Sequence, residues 1–288
     1  MKIEYTKDGT LLQDADNFDI EQIFDCGQCF RFDKDGTFPQ TMGKRYGGVA
    51  FGKHLFARQS DRNILLENVT KEEFESIWYP FFDMERDYGK IISDITDAHA
   101  KKCAEKGRGI RILRQDPWET VCSFIVSQNN NIPRIKKIIA TLCDRFGESF
   151  TGCDGVEYKA FPSAESLYNA GETAIFECRT GFRAKYIYDA AKRVCTGEFD
   201  MQNACSMSAS ELEAELLKIK GVGPKVAACA GLFGFGHTES FPVDVWIKRV
   251  MAKYYPADFD VRSFGENAGI IQQYLFYYER SVPDNDQH

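Results

Sequence analysis

Lys225 and Asp244 are the residues of this 288-residue chain best placed to do covalent chemistry. Lys225 follows Lys220-Gly221-Val222-Gly223-Pro224, which puts it in the first turn of a helix that Pro224 starts. An amine is a nucleophile only when neutral, and an exposed lysine is almost wholly protonated near neutral pH. Here the positive end of the helix dipole and the neighbouring Lys220 both disfavour the ammonium, and desolvation by a bound partner would add to them. Asp244 follows 19 residues later, at the expected start of another helix. A carboxylate that converged on the lysine would stabilise a developing positive charge or relay protons. Plainer roles stay open: Lys225 as a surface cation touching phosphate, and Asp244 as an N-cap that Ser, Thr or Asn would serve equally.

The elements that must position these two residues are local and readable. Ser208 with Glu211 three residues on forms a capping box for a helix striped by Leu212, Leu216 and Leu217. Lys220 to Gly223 must break that helix, and Pro224 starts the next. A turn with glycines two apart exposes several backbone N–H groups in one patch, which suits a phosphate. A Cβ at Gly221 or Gly223 would hold a phosphate backbone away from those amides, while Lys218 and Lys220 add long-range attraction. An ordinary helical hairpin can also contain Gly-Val-Gly, so the turn by itself leaves both readings standing.

The rest of the chain frames this hairpin. With 43% hydrophobic and 27% charged residues, the composition is that of a globular protein, and no apolar run approaches a membrane span. A cytoplasmic, DNA-associated protein of prokaryotic type is expected, acting as a monomer. Net charge is −7, yet Lys101 to Arg145 holds ten Lys/Arg against four Asp/Glu, whereas Met1 to Phe30 holds two against seven. A basic face on an acidic body can attract a polyanion. Before residue 70, short alternating stretches punctuated by glycine predict an antiparallel sheet, with Asp35-Gly36 placed for a hairpin. After it, Thr70 and Glu73 cap a helix through "FESIWYPFF". Asp116-Pro117-Trp118-Glu119 repeats the device for "TVCSFIVSQ", with Val121, Phe124 and Ile125 on one buried face. "PDNDQH" at the end reads as a loose tail.

Ten cysteines are scattered without paired spacing except Cys26-Gly-Gln-Cys29, so reduced thiols are expected. A thiol redox or zinc protein built on Cys26 and Cys29 is one alternative function, although a zinc site needs about four ligands. A non-catalytic DNA-binding module whose hairpin merely grips backbone is another.

The spacing Leu216, Ile219, Gly221, Val222, Gly223, Lys225, then Pro242, Val243 and Asp244, resembles the signature of the helix-hairpin-helix DNA glycosylase superfamily. "GQCFRF", "DPWETVCSFIVSQNNNIPRI", "TGFRAKY" and "AGIIQQYLF" are similar to stretches of its 8-oxoguanine DNA glycosylases, and span residues 27 to 276. The resemblance implies an α+β fold: an N-terminal antiparallel sheet domain with flanking helices (1–112) on a larger all-helical domain (113–288). The latter would hold the hairpin at about 208–234 and a catalytic loop at about 235–246. It implies a bifunctional enzyme that flips 8-oxoguanine out of duplex DNA, preferentially opposite cytosine. Lys225 would attack the sugar, Asp244 would assist, and β-elimination would follow.

By the same resemblance Gly27 offers a backbone carbonyl to the N7 hydrogen that only oxidised guanine carries, Gln272 reads the Watson–Crick edge, and Cys229 and Phe276 wall the pocket beside Pro242. Read as residues alone, Cys229 and Phe276 are equally ordinary core. Asn129, Asn130 and Asn131 form the polar run at the DNA face, and Asn129, Arg134 and Arg183 are implied to grip the orphaned cytosine. Phe182 stands where a tyrosine wedge is common, and stacking needs only the ring. Trp246 stands where animal members have a histidine on phosphate, and an indole supplies one donor and no charge. Gly221, Gly223 and Lys220 would meet the DNA backbone. The carbonyls of Leu217, Ile219 and Val222 would hold a structural monovalent or calcium ion, with no cofactor required for chemistry. Endonuclease III-type relatives carry four cysteines after the catalytic aspartate, whereas the last cysteine here is Cys229, so no iron–sulfur cluster is expected.

Overall fold

β-branched and aromatic residues alternating with polar ones give six short strands near the N-terminus, in a computed structural model that describes residues 1–281. The tail "PDNDQH" lies outside the described residues. Strands β1 (Lys2–Thr6), β2 (Gly9–Gln13), β3 (Phe32–Lys34), β4 (Lys44–Ala50), β5 (Lys53–Ser60) and β6 (Asn63–Glu67) pair antiparallel in the order β1-β2-β6-β5-β4-β3. The tight turn falls at Phe51-Gly52 between β4 and β5, where both residues have positive φ (51° and 67°), as a two-residue turn of the right twist requires. Asp35-Gly36 does not make the expected two-residue hairpin. The Asp35 side chain accepts from the Thr37 amide (2.9 Å) and pairs with Arg45 (3.0 Å), which opens a longer connection from β3 to β4.

Thr70 caps the Glu73 amide, and the helix that follows passes through a π-helical stretch at Phe74–Trp78 before Tyr79–Phe81. It buries Phe74, Trp78, Phe81 and Phe82 against the sheet, where Phe24 stacks on Phe32 at 4.3 Å. A second core lies among the helices. Its centre is the helix Pro117–Ser127, opened by Asp116 as the sequence predicts; Thr120 to Val126 are all buried, so it is enclosed on every side and not on one face. Helices Tyr88–Asp94 and Ala98–Lys106, assigned from sequence to the segment 1–112, bury Tyr88, Ile92, Ala100, Cys103 and Ala104 in this second core. The helical body is not wholly helical either: Ser149–Thr151 and Glu157–Lys159 form a two-stranded hairpin.

The two cores meet at a polar seam. Buried Asp83 pairs with Arg86 and Arg114 (both 2.7 Å) and accepts from the Tyr88 hydroxyl (2.9 Å). Buried Gln28 accepts from the Leu113 amide (2.8 Å) and donates to the Arg111 carbonyl (2.9 Å). Cys26 packs into the helical core and Cys29 into the sheet core, so the loop from 26 to 29 is fastened to both. Burial pushes the Cys26 thiol up to about 12 and the Cys29 thiol well above its ordinary value, which disfavours the thiolate that redox or metal chemistry would use. Among the described residues no group of three or more His, Cys, Asp or Glu is arranged to hold a metal ion.

Candidate active site

The hairpin forms as its sequence dictates. Ser208 and Glu211 close the reciprocal capping box in front of helix Ala209–Leu216, and Pro224 opens helix Pro224–Phe233. Gly221 has φ +79°, and a Cβ there would lie 2.4 Å from the Tyr186 ring, so glycine is required by both conformation and packing. A Cβ at Gly223 would meet nothing within 4 Å: the protein itself leaves that space open. The Lys220 amide is pinned to Asp189 (2.8 Å). Among the described residues the Leu217 and Val222 carbonyls accept no main-chain hydrogen bond, while that of Ile219 accepts from the Val222 amide (3.0 Å).

Lys225 is half-buried. Its Nζ donates to Ser127 Oγ (3.1 Å) and lies 5.2 Å from the centre of the Phe124 ring. Ser127 in turn donates to the Phe124 carbonyl (2.8 Å), so its single hydroxyl hydrogen is committed and it faces the lysine as an acceptor. Ser127 is missing from the sequence-predicted site; its only signal was its place just before the Gln-Asn-Asn-Asn run.

One cleft brings together Lys225 and Asp244 with Gly27, Cys229, Pro242, Gln272 and Phe276, residues spread over 250 positions of sequence. Asp244 is the N-cap of helix Val245–Tyr254, its side chain accepting from the Ile247 amide (2.9 Å). Burial raises the Cys229 thiol to about 11, Lys225 pulling the other way, so Cys229 is a neutral wall beside the amine near neutral pH. Gln272 is only 4% exposed, and among the described residues its side-chain oxygen accepts no hydrogen bond. Gln273, buried beside it, donates to the Cys26 carbonyl (2.8 Å), and Gln115 donates to the Gln28 carbonyl (2.7 Å). These bonds fix the Gly27 turn. A Cβ there would need the left-handed backbone (φ +79°) and would lie 3.3 Å from the Arg280 guanidinium and 3.4 Å from Ile132 and Phe276.

At the rim the three asparagines divide. Asn130 donates to the Val126 carbonyl (3.1 Å) and Asn131 caps the Arg134 amide (3.0 Å), so both are spent on helix ends. Asn129 is exposed, in a left-handed turn (φ 48°). Arg183, implied by resemblance to grip the orphaned cytosine, is buried. It is 3% exposed and, lacking a carboxylate, spends its guanidinium on the carbonyls of Gln128 (2.9 Å), Asn129 (3.0 Å) and Thr180 (3.2 Å). To reach a base it would have to exchange those bonds. Phe182, beside it, is half-exposed, and Arg134 is exposed. Trp246 carries the Arg249 guanidinium 4.9 Å from its ring centre, so a cation does stand at that position although the indole has none.

Residues 10–121 match the family model described as the 8-oxoguanine DNA glycosylase N-terminal domain, and residues 122–261 match that of the HhH-GPD superfamily of base excision DNA repair proteins. The chain is 31% identical over 270 residues to the N-glycosylase/DNA lyase of Saccharomyces cerevisiae, covering 86% of this chain and 71% of that one. The chain belongs to the 8-oxoguanine DNA glycosylase family. An Arabidopsis thaliana N-glycosylase/DNA lyase is 29% identical, over 89% and 76% of the two chains. The Clostridium acetobutylicum 8-oxoguanine glycosylase/lyase, solved with double-stranded DNA containing cytosine opposite 8-oxoguanine, superposes with a TM-score of 0.89 at 38% identity over 97% and 98% of the chains. The sheet domain and the helical body of this 8-oxoguanine DNA glycosylase family member are thus both shared with its relatives, along with the hairpin that carries Lys225. Among the described residues no helix is long and apolar enough to cross a membrane.

Proposed function

We propose that the chain excises 8-oxoguanine from duplex DNA, preferentially opposite cytosine, and then cuts the strand at the abasic site. The convergence of Lys225, Asp244 and the partnerless Gln272 oxygen in one cleft carries this reading. A base in a duplex is out of reach, so the nucleotide is flipped in, between Cys229 and Phe276. Guanine's Watson–Crick edge brings the N–H donors that Gln272 lacks, and the Gly27 carbonyl receives the hydrogen on N7 that ordinary guanine does not carry. Lys225 Nζ then bonds to the sugar C1′ as the bond to the base breaks, the base leaving with the electron pair and taking a proton. Asp244 stabilises the positive charge that builds on the sugar. The aminal so formed opens: the C1′–O4′ bond breaks, O4′ takes a proton, and the nitrogen lone pair completes an iminium, which acidifies C2′ so that loss of a C2′ proton expels the 3′ phosphate.

The hairpin amides, Lys220 and the Trp246–Arg249 pair meet the DNA backbone, and Phe182 fills the gap left by the flipped nucleotide. Three carbonyls from one turn, at Leu217, Ile219 and Val222, suit a structural monovalent or calcium cation bound with a phosphate; none can act as acid or base. We place the enzyme in the cytoplasm, where its free thiols stay reduced.

The direct test measures base release from duplexes with 8-oxoguanine opposite each of the four bases, and from undamaged DNA. Release from the lesion, fastest opposite cytosine, is expected; equal release of ordinary guanine would overturn the reading. Arg134→Met removes an exposed fork able to address cytosine's acceptors, a contact type worth about 1–3 kcal/mol of discrimination. Its preference for cytosine should shrink by about tenfold or more, with release opposite the other bases little changed.

A further inference from the structure

A second pocket is lined by Arg134, Lys137, Ile138, Thr141, Cys178 and Arg179. We propose that this pocket is a phosphate site for the DNA strand opposite the lesion, with Lys137 and Arg179 as its cations. This rests on the glycosylase reading above.

Three of the six lining residues are cationic and none is a carboxylate. The nearest acid on that turn, Glu177, is engaged by Arg145 (2.8 Å), and among the described residues neither Lys137 nor Arg179 forms an ion pair. Uncompensated cations over an apolar floor of Ile138 and Cys178 set up a field for a polyanion, not a contact that stabilises the fold.

The backbone points the same way. Arg179 adopts φ 64°, ψ 23°, a left-handed conformation that glycine takes freely and a long side chain takes at a cost. The next residue is fastened twice: the Thr180 hydroxyl donates to the Ile175 carbonyl (2.9 Å), and the buried Arg183 guanidinium donates to the Thr180 carbonyl (3.2 Å). A strained arginine, exposed and unpaired where glycine would fit without strain, indicates that its charge is used.

The strand assignment follows from Arg134, which lines this pocket and, on the reading above, addresses the cytosine of the strand opposite the lesion. Lys137 stands three residues on along the same helix, Ile132–Phe146, and so on the same face.

The test compares full-length wild-type protein with Lys137→Ala and Arg179→Gly, the glycine also relieving the strained backbone so that folding is not put at risk. Binding to a duplex carrying an uncleavable abasic analogue opposite cytosine, and to the lesion strand alone, is measured across a salt series. For the duplex, each substitution should weaken binding several-fold and lower the slope of log K against log salt by about one. For the single strand, neither should change. Unaltered duplex slopes would overturn the site, and equal losses on duplex and single strand would overturn the strand assignment. Borohydride trapping of the wild type runs alongside: if trapping fails, the glycosylase reading falls, whereas trapping with unaltered slopes overturns only the pocket.

Discussion

Lys225→Gln should release no 8-oxoguanine at a measurable rate and should never be captured on DNA by sodium borohydride, whereas the wild type is captured. Reduction fixes only an iminium between an amine and the sugar, and glutamine's amide cannot form one. Loss of a covalent nucleophile removes on the order of 10⁴-fold or more of rate. The glutamine amide can still donate to Ser127, which holds the lysine Nζ at 3.1 Å now, so the melting temperature should move little and the mutant should still bind lesion DNA. Capture of Lys225→Gln at the wild-type level would place the nucleophile elsewhere.

Asp244→Asn separates two roles that the structure combines in one side chain. Its oxygen caps the Ile247 amide at 2.9 Å, and asparagine caps a helix about as well as aspartate, so stability should be unchanged. The negative charge beside Lys225 is lost, however, and base release should fall by about 10² to 10³-fold, the usual scale for removing one electrostatic stabiliser of a transition state. Asp244→Ala should show the same rate loss together with about 1 kcal/mol of destabilisation from the lost cap. Base release by Asp244→Asn at the wild-type rate would reduce Asp244 to a cap alone.

The sequence made the hairpin legible because everything that shapes it is local: the Ser208–Glu211 box, glycines at 221 and 223, Pro224. The Asp116-Pro117 helix start was legible for the same reason. The cleft was not legible that way. Gly27, Cys229, Gln272 and Phe276 are joined only by tertiary folding, and no periodicity links them; they were reached through resemblance to a family. Contacts that depend on where a long side chain comes to rest escaped both routes. Ser127 beneath Lys225, the carbonyls that occupy Arg183, and Arg249 over Trp246 belong to that group. Asp35-Gly36 misled because a side chain competed for the turn: bonded to Thr37 and Arg45, Asp35 holds the chain in a wider loop than the dipeptide alone suggests.

The loop carrying Gly27 has one cysteine rooted in each core, and Gln273 and Gln115 tie its carbonyls to the helical side. If the Gly27 carbonyl reads the extra hydrogen of an oxidised purine, as proposed above, the strands form half the jig that holds it, although they carry none of the residues proposed to react. Accuracy in telling worn bases from sound ones would then be partly a property of the sheet, and drift in its packing would reach the genome as altered fidelity without a single change at the reaction centre.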